Sequence, residues 1–94
     1  MMIGGEHEIA ATAKVIDSDT TPCRILTIRL ESDAAGDCYF GTSNVAADAN
    51  RHGFLEAGES WTFGPYSAGT GIRPSEVYII GTADDVLFWN GLPA

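Results

Sequence analysis

Basic residues are scarce in this chain. Lys14 and the scattered Arg24, Arg29, Arg51 and Arg73 stand against 13 aspartates and glutamates, for a formal net charge of −8. Affinity for nucleic acid comes largely from clustered Lys and Arg on phosphates, and no basic run exists here. Charge therefore argues against a nucleic-acid partner and against an anionic lipid surface. Long apolar runs are missing as well. None approaches the roughly 18 residues that a membrane span needs, so no membrane association is expected. The opening MMIGGEHEIAAT has neither the basic nor the apolar region of a secretory signal.

Cysteine is limited to Cys23 and Cys38. If 23–31 and 37–41 pair as a hairpin, Cys23 lies seven or eight residues up the strand from Cys38. At about 3.3 Å per residue that exceeds the ~7 Å Cα limit for a disulfide. Two free thiols, suited to a reducing cytoplasm, are expected on that pairing.

What is present points to a β protein. The 94 residues suffice for one domain with a single thin core. With 45% hydrophobic and 19% charged residues the chain is globular. CRILTIRLE, 23–31, alternates Leu26, Ile28 and Leu30 with Thr27, Arg29 and Glu31, the period of an antiparallel strand with one solvated face. TAKVID (12–17), CYFG (38–41), FLEA (54–57), ESWTFG (59–64), EVYIIGT (76–82) and DVLFWNG (85–91) read as further short strands. SDTTP, SDAAGD and the long 65–75 segment read as turns and loops, and Val45 as a strand fragment within an irregular 42–53. The last two strands are expected to close a hairpin across Ala83-Asp84. The organisation is an N-terminal arm, 1–11, followed by an all-β domain, 12–94: a single small antiparallel β-sandwich or jelly roll of six to seven strands, with no convincing helix.

Constellations that carry chemistry are thin. His7 and His52 have no motif around them, and Ser60 in GES lacks the second glycine and the helix of a nucleophile elbow. Glu56 and Glu59 could form an acid–base pair but read more simply as solvated turn residues. DSDTT, 17–21, has two carboxylates two apart yet runs into Pro22 and a strand, unlike a calcium loop. SAGTGIRPSE lacks the Lys-Ser/Thr of a phosphate loop, and its length makes it a candidate contact loop. The expectation is a non-enzymatic chain with no metal and no cofactor.

Aromatics are where the sequence spends its large groups. Phe40, Phe63 and Phe88, with Trp61, are the core choices by alternation. In the last two strands both faces are apolar, Tyr78 and Ile80 against Val77 and Ile79, Leu87 and Trp89 against Val86 and Phe88. One face is then a contact patch, unless the arm or the 42–57 loop folds over it. In HGFLEAGESWTFGPY, Leu55 is expected to enter the core, Gly58 to take a turn conformation, and Trp61 and Phe63 to fill the interior.

The succession of RILTIRLES, CYFGTSNV, GFLEAGESWTFGP and EVYIIGTADDVLFWNG resembles the small β-sandwich virion proteins of tailed bacteriophages, head decoration (cement) proteins in particular. The pattern spans roughly 12–91 and consists of turn glycines and core positions. The resemblance implies a virion structural protein on the capsid surface, made in the host cytoplasm, that binds the major capsid protein and forms a trimer or dimer. Ile3, Ile9, Tyr78, Leu87 and Trp89 are the expected partner contacts. The alternatives are a carbohydrate- or surface-binding module, in which Trp61, Tyr66 or Trp89 would stack on sugar rings, and a tail or head-completion component.

Overall fold

Eight strands alternate with turns along the chain in the computed structural model, which describes residues 2–67 and 70–94. They are β1 (Ile3–Glu8), β2 (Lys14–Val15), β3 (Cys23–Leu30), β4 (Cys38–Gly41), β5 (Arg51–Leu55), β6 (Ser60–Phe63), β7 (Tyr78–Ile80) and β8 (Val86–Pro93). A 3₁₀ turn at Pro74–Glu76 is the helical element among the described residues. Residue 1 of the expected arm and residues 68 and 69 of the expected 65–75 loop lie outside the described residues. The strands form two four-stranded antiparallel sheets, β1-β8-β3-β6 and β2-β7-β4-β5. Below they are the first and second sheet.

One apolar cluster draws on both sheets. Leu26, Ile28, Leu30, Leu87 and Trp89 enter it from the first, and Cys38, Phe40, Leu55 and Ile79 from the second, with Ile9, Ile16 and Val77 from the connections. The radius of gyration is 12.3 Å, against about 12.4 Å for a compact chain of this length. β3 shows why: its period of two buries Leu26, Ile28 and Leu30 and leaves Arg24 and Arg29 in water.

Four expectations need correcting. The first is the arm, whose residues 3–8 form β1 and pair with β8 from Ile3–Gly91 to Glu8–Val86. Two glycines hid it, because Gly is a weak strand former. Here they are what lets the strand seat over an indole, since a Cβ on Gly5 would lie 3.3 Å from Trp89 Nε1. With β1 counted, the described residues hold two four-stranded sheets where six to seven strands were expected.

The second is the closing hairpin. β7 and β8 are consecutive but belong to different sheets. Asp84 takes a positive φ of 75° and its N–H bonds the Ile9 carbonyl at 3.0 Å, while the Asp85 carboxylate accepts the N–H groups of Ala35 and Gly36 at 2.9 and 3.2 Å. The segment steps between layers. The expected β3–β4 hairpin fails likewise, since those strands also lie in different sheets. Cys23 and Cys38 are nevertheless free and buried, so the thiol state stands on different geometry.

The third concerns parity in β8. Leu87 and Trp89 point inward, Trp89 at 4% exposure, opposite Gly5 on one side and Ile28 on the other. Phe88, a core choice in the sequence, is half-buried on the outer face, where Arg29 lies over its ring at 5.1 Å. With both faces apolar, the sequence alone does not choose between two registers one residue apart. The fourth is Trp61, which is 41% exposed rather than interior.

Candidate binding groove

The end of the molecule where edge strands β5 and β6 approach each other holds the exposed Trp61 and Tyr66. A register irregularity builds it. Phe40 pairs with Gly53 and Gly41 with Arg51, so His52 has no partner across the ladder. A bulge re-aims the side chains around it. His52, exposed to solvent, stands 5.8 Å from the Phe40 ring, 5.9 Å from Trp61 and 6.1 Å from Phe63. Phe40 also meets Trp61 at 5.4 Å and Phe63 edge-on at 5.8 Å. Offset and edge-to-face arrangements of this kind are the favoured ones for aromatic pairs.

Gly53 makes the cluster possible. It lies directly across from Phe40, and a Cβ there would come within 2.7 Å of the ring's Cζ. The fully buried Phe40 ring therefore packs against bare backbone at Gly53.

Beside this cluster opens a groove of about 500 Å³, lined from the β4–β5 side by Gly41, Thr42, Asn50, Arg51 and His52 and from the other by Phe63, Tyr66, Ile72 and Glu76. Its polar groups are held in place. Thr42 Oγ1 donates to Asn44 Oδ1 at 2.7 Å, and Asn50, at a positive φ of 58°, donates through Nδ2 to the Asn44 carbonyl at 3.3 Å. Glu76 Oε1 accepts the Arg73 N–H at 2.8 Å. The volume falls within the roughly 300–1,000 Å³ typical of small-molecule sites.

Two other surfaces bear on function. On the outer side of the second sheet, Tyr39 lies opposite both Phe54 and Ile80, and Tyr78 flanks the buried Ile79. Phe54 is 49% exposed, and Arg51 covers part of the row, 5.2 Å from the Tyr39 ring and 5.8 Å from that of Phe54. β1 joins the first sheet edge-on and leaves this row bare. At the pole where the loops 31–37, 56–59 and 81–85 meet, seven acidic residues gather: Glu31, Asp33, Asp37, Glu56, Glu59, Asp84 and Asp85. There the Val86 N–H favours the ionised Glu31 carboxylate, but Asp33 and Asp85 outweigh it and raise the pKa.

Of the five expected partner contacts, Ile9, Leu87 and Trp89 are core residues and offer a partner no surface. Ile3 is half-buried against the core from β1, and Tyr78 lies on the bare outer row. Tyr66 keeps its exposure in the groove and Trp61 keeps its own beside it, whereas Trp89 cannot stack on a ligand. The bulge at His52 left no trace in the sequence, because RHGF reads equally well as loop or strand.

Buried groups outside the groove are few. Burial pushes the Cys38 thiol up to about 12 and raises that of Cys23. His7 sits lower than an ordinary imidazole through burial, with Asp17 opposing the shift. His7 Nε2 and Trp89 Nε1 are buried without a hydrogen-bond partner. Among the described residues no group of three or more His, Cys, Asp or Glu side chains is arranged to hold a metal ion, and no helix is long and apolar enough to cross a membrane. No protein-family model, no curated protein and no solved structure matches the chain.

Proposed function

We propose that this chain is a structural protein of a tailed-phage virion, a jelly roll that decorates the assembled capsid and stabilises it. The observation that carries the reading is the strand order. Two sheets ordered β1-β8-β3-β6 and β2-β7-β4-β5, with every connection except β4–β5 passing from one sheet to the other, support a double-sheet jelly roll. That architecture recurs in viral capsid domains. Architecture alone does not assign function, so the sequence motifs matter beside it.

Those motifs are devices of the backbone. In GTSNV the Val45 N–H returns to the Thr42 carbonyl at 3.0 Å and Val45 is buried. In LEAGES, Glu59 Oε1 accepts the Glu56 N–H at 2.8 Å, Gly58 takes φ +81°, and the Gly58 N–H bonds the Leu30 carbonyl at 3.1 Å. The resemblance is therefore one of framework, which suits a protein whose work is to present surfaces.

In this reading the outer row of the second sheet, Phe54, Tyr39, Ile80 and Tyr78 with Arg51, meets the major capsid protein at a junction between capsomers. It replaces the contacts expected from Ile9, Leu87 and Trp89. A ligand that binds only the assembled lattice stabilises it by mass action, about 2.7 kcal/mol per site at a hundredfold excess over Kd. A dimer or trimer at the junction would multiply that effect. The acidic pole would face solvent and keep particles apart.

Co-sedimentation with purified shells, set against unassembled capsid protein, tests this. The expected result is saturable binding to shells alone, weakened about tenfold or more by Phe54→Ser with the melting temperature held. Equal binding by the variant would remove this face from the contact. Failure to bind shells at all would remove the proposal.

A further inference from the structure

We infer that the groove between β5 and β6 binds a neutral sugar residue of a glycan chain. The inference does not rest on the virion proposal, because a free module or a shell-bound one would present the same groove.

Three features converge on that chemistry. First, Tyr66, 36% accessible, and the half-buried Phe63 line the groove, and Trp61, 41% accessible, stands next to it against His52 and Phe63. A pyranose carries C–H groups on one face and packs flat against such rings, which bring large contact area at low conformational cost. Second, the lining supplies hydrogen-bonding groups from opposite sides: Thr42 and Asn50 on one, Glu76 and the Tyr66 hydroxyl on the other, with His52 between. Asn50 is engaged through Nδ2 and Glu76 through Oε1, while Asn50 Oδ1 and Glu76 Oε2 take no hydrogen bond among the described residues. These two acceptors suit the hydroxyl donors on a sugar rim. Third, the site is set before any ligand arrives, since the bulge at His52 and the Phe40 ring over Gly53 hold the wall.

Charge selects within the class. Glu76 lines the groove and the chain is −8 overall. Arg51 lines it too, but its guanidinium donates to the Ala47 carbonyl at 3.0 Å and lies over the Tyr39 and Phe54 rings. Uronic and sialic acids are disfavoured, and so is a nucleotide, whose base would stack but whose phosphate would be repelled. A purely apolar side chain would leave the polar lining unpaired, at a cost in affinity.

The test is an array of immobilised neutral hexose and N-acetylhexosamine oligosaccharides, sialylated and uronic oligosaccharides, and adenosine as a stacking control, probed with the full chain. Any oligosaccharide retained is then titrated by tryptophan fluorescence. The expected result is retention on neutral oligosaccharides, a change in Trp61 emission on binding, and a loss of about tenfold or more in affinity in Trp61→Ala. Tyr66→Ala provides a second variant at an exposed position, should Trp61→Ala fold poorly. Neither variant should change binding to shells, so a failed sugar site and a failed virion proposal give different patterns. Silence across the array, retention on anionic sugars or adenosine alone, or unchanged affinity in both variants would overturn the inference.

Discussion

Two tryptophans of the same type have opposite duties, and the difference is one of position in the ladder. Trp89 stands in a central strand with Gly5 and Ile28 on either side, and Trp61 stands on an edge strand with one flank open. Trp89→Ala should cost about 3–5 kcal/mol, the usual penalty for emptying a core aromatic site. The melting temperature should fall by more than about 10 °C. Trp61→Ala should cost less than half of that. Thermal denaturation of both variants checks the pair, and equal losses would place Trp61 in the core. Cys38 makes a second residue-scale prediction. Its thiol, held near 12 by burial against an ordinary 9.0, should resist a disulfide reagent in the native protein and react on unfolding. The folded value exceeds the unfolded one, so the stability Cys38 contributes is complete below about pH 9 and is lost as pH rises towards 12. Replacement by Ala should flatten the alkaline limb of a plot of stability against pH.

At the scale of elements, β1 is the decisive strand. Its glycines and absence of period read as an arm, yet it protects the flank of β8 and lies over Trp89. Removing residues 2–8 should leave β8 as an unpaired edge next to an uncovered indole. The truncated protein should melt lower and self-associate, which calorimetry and sedimentation would show; an unchanged melting point would restore the arm. Asp85 governs the step between β7 and β8. Asp85→Asn retains one acceptor for the two N–H groups of Ala35 and Gly36 and should cost about 1–3 kcal/mol in denaturant unfolding.

The same elements show what the sequence could reveal. The period of β3, the Asx turns at Asp17 and Asp19, the entry of Leu55 into the core and the positive φ of Gly58 were all legible, because each depends on local chemistry. Sheet membership was not. Whether β7 and β8 pair or part depends on Asp85 finding Ala35 and Gly36 some fifty residues away. The parity of β8 and the bulge at His52 were hidden for a related reason. Where both faces are apolar, cross-strand partners make the choice. Of the groove, the sequence showed the aromatics and not their meeting.

As a whole molecule the chain divides its surface by chemistry. An acidic pole, a bare aromatic row on one outer face and a groove at the β5–β6 end are distinct regions of a single two-sheet body. In the proposed role the row meets the shell, the pole faces water, and the groove remains free for a second ligand. That arrangement has a consequence in numbers, since a protein bound across the lattice must be present at lattice stoichiometry. Quantitative mass spectrometry of purified, salt-washed particles, comparing this chain with the major shell protein, measures it directly. The copy number should be comparable to that of the shell protein. A handful of copies would contradict lattice-wide decoration and move the chain to the tail or a vertex, and its absence from particles would contradict the virion role altogether.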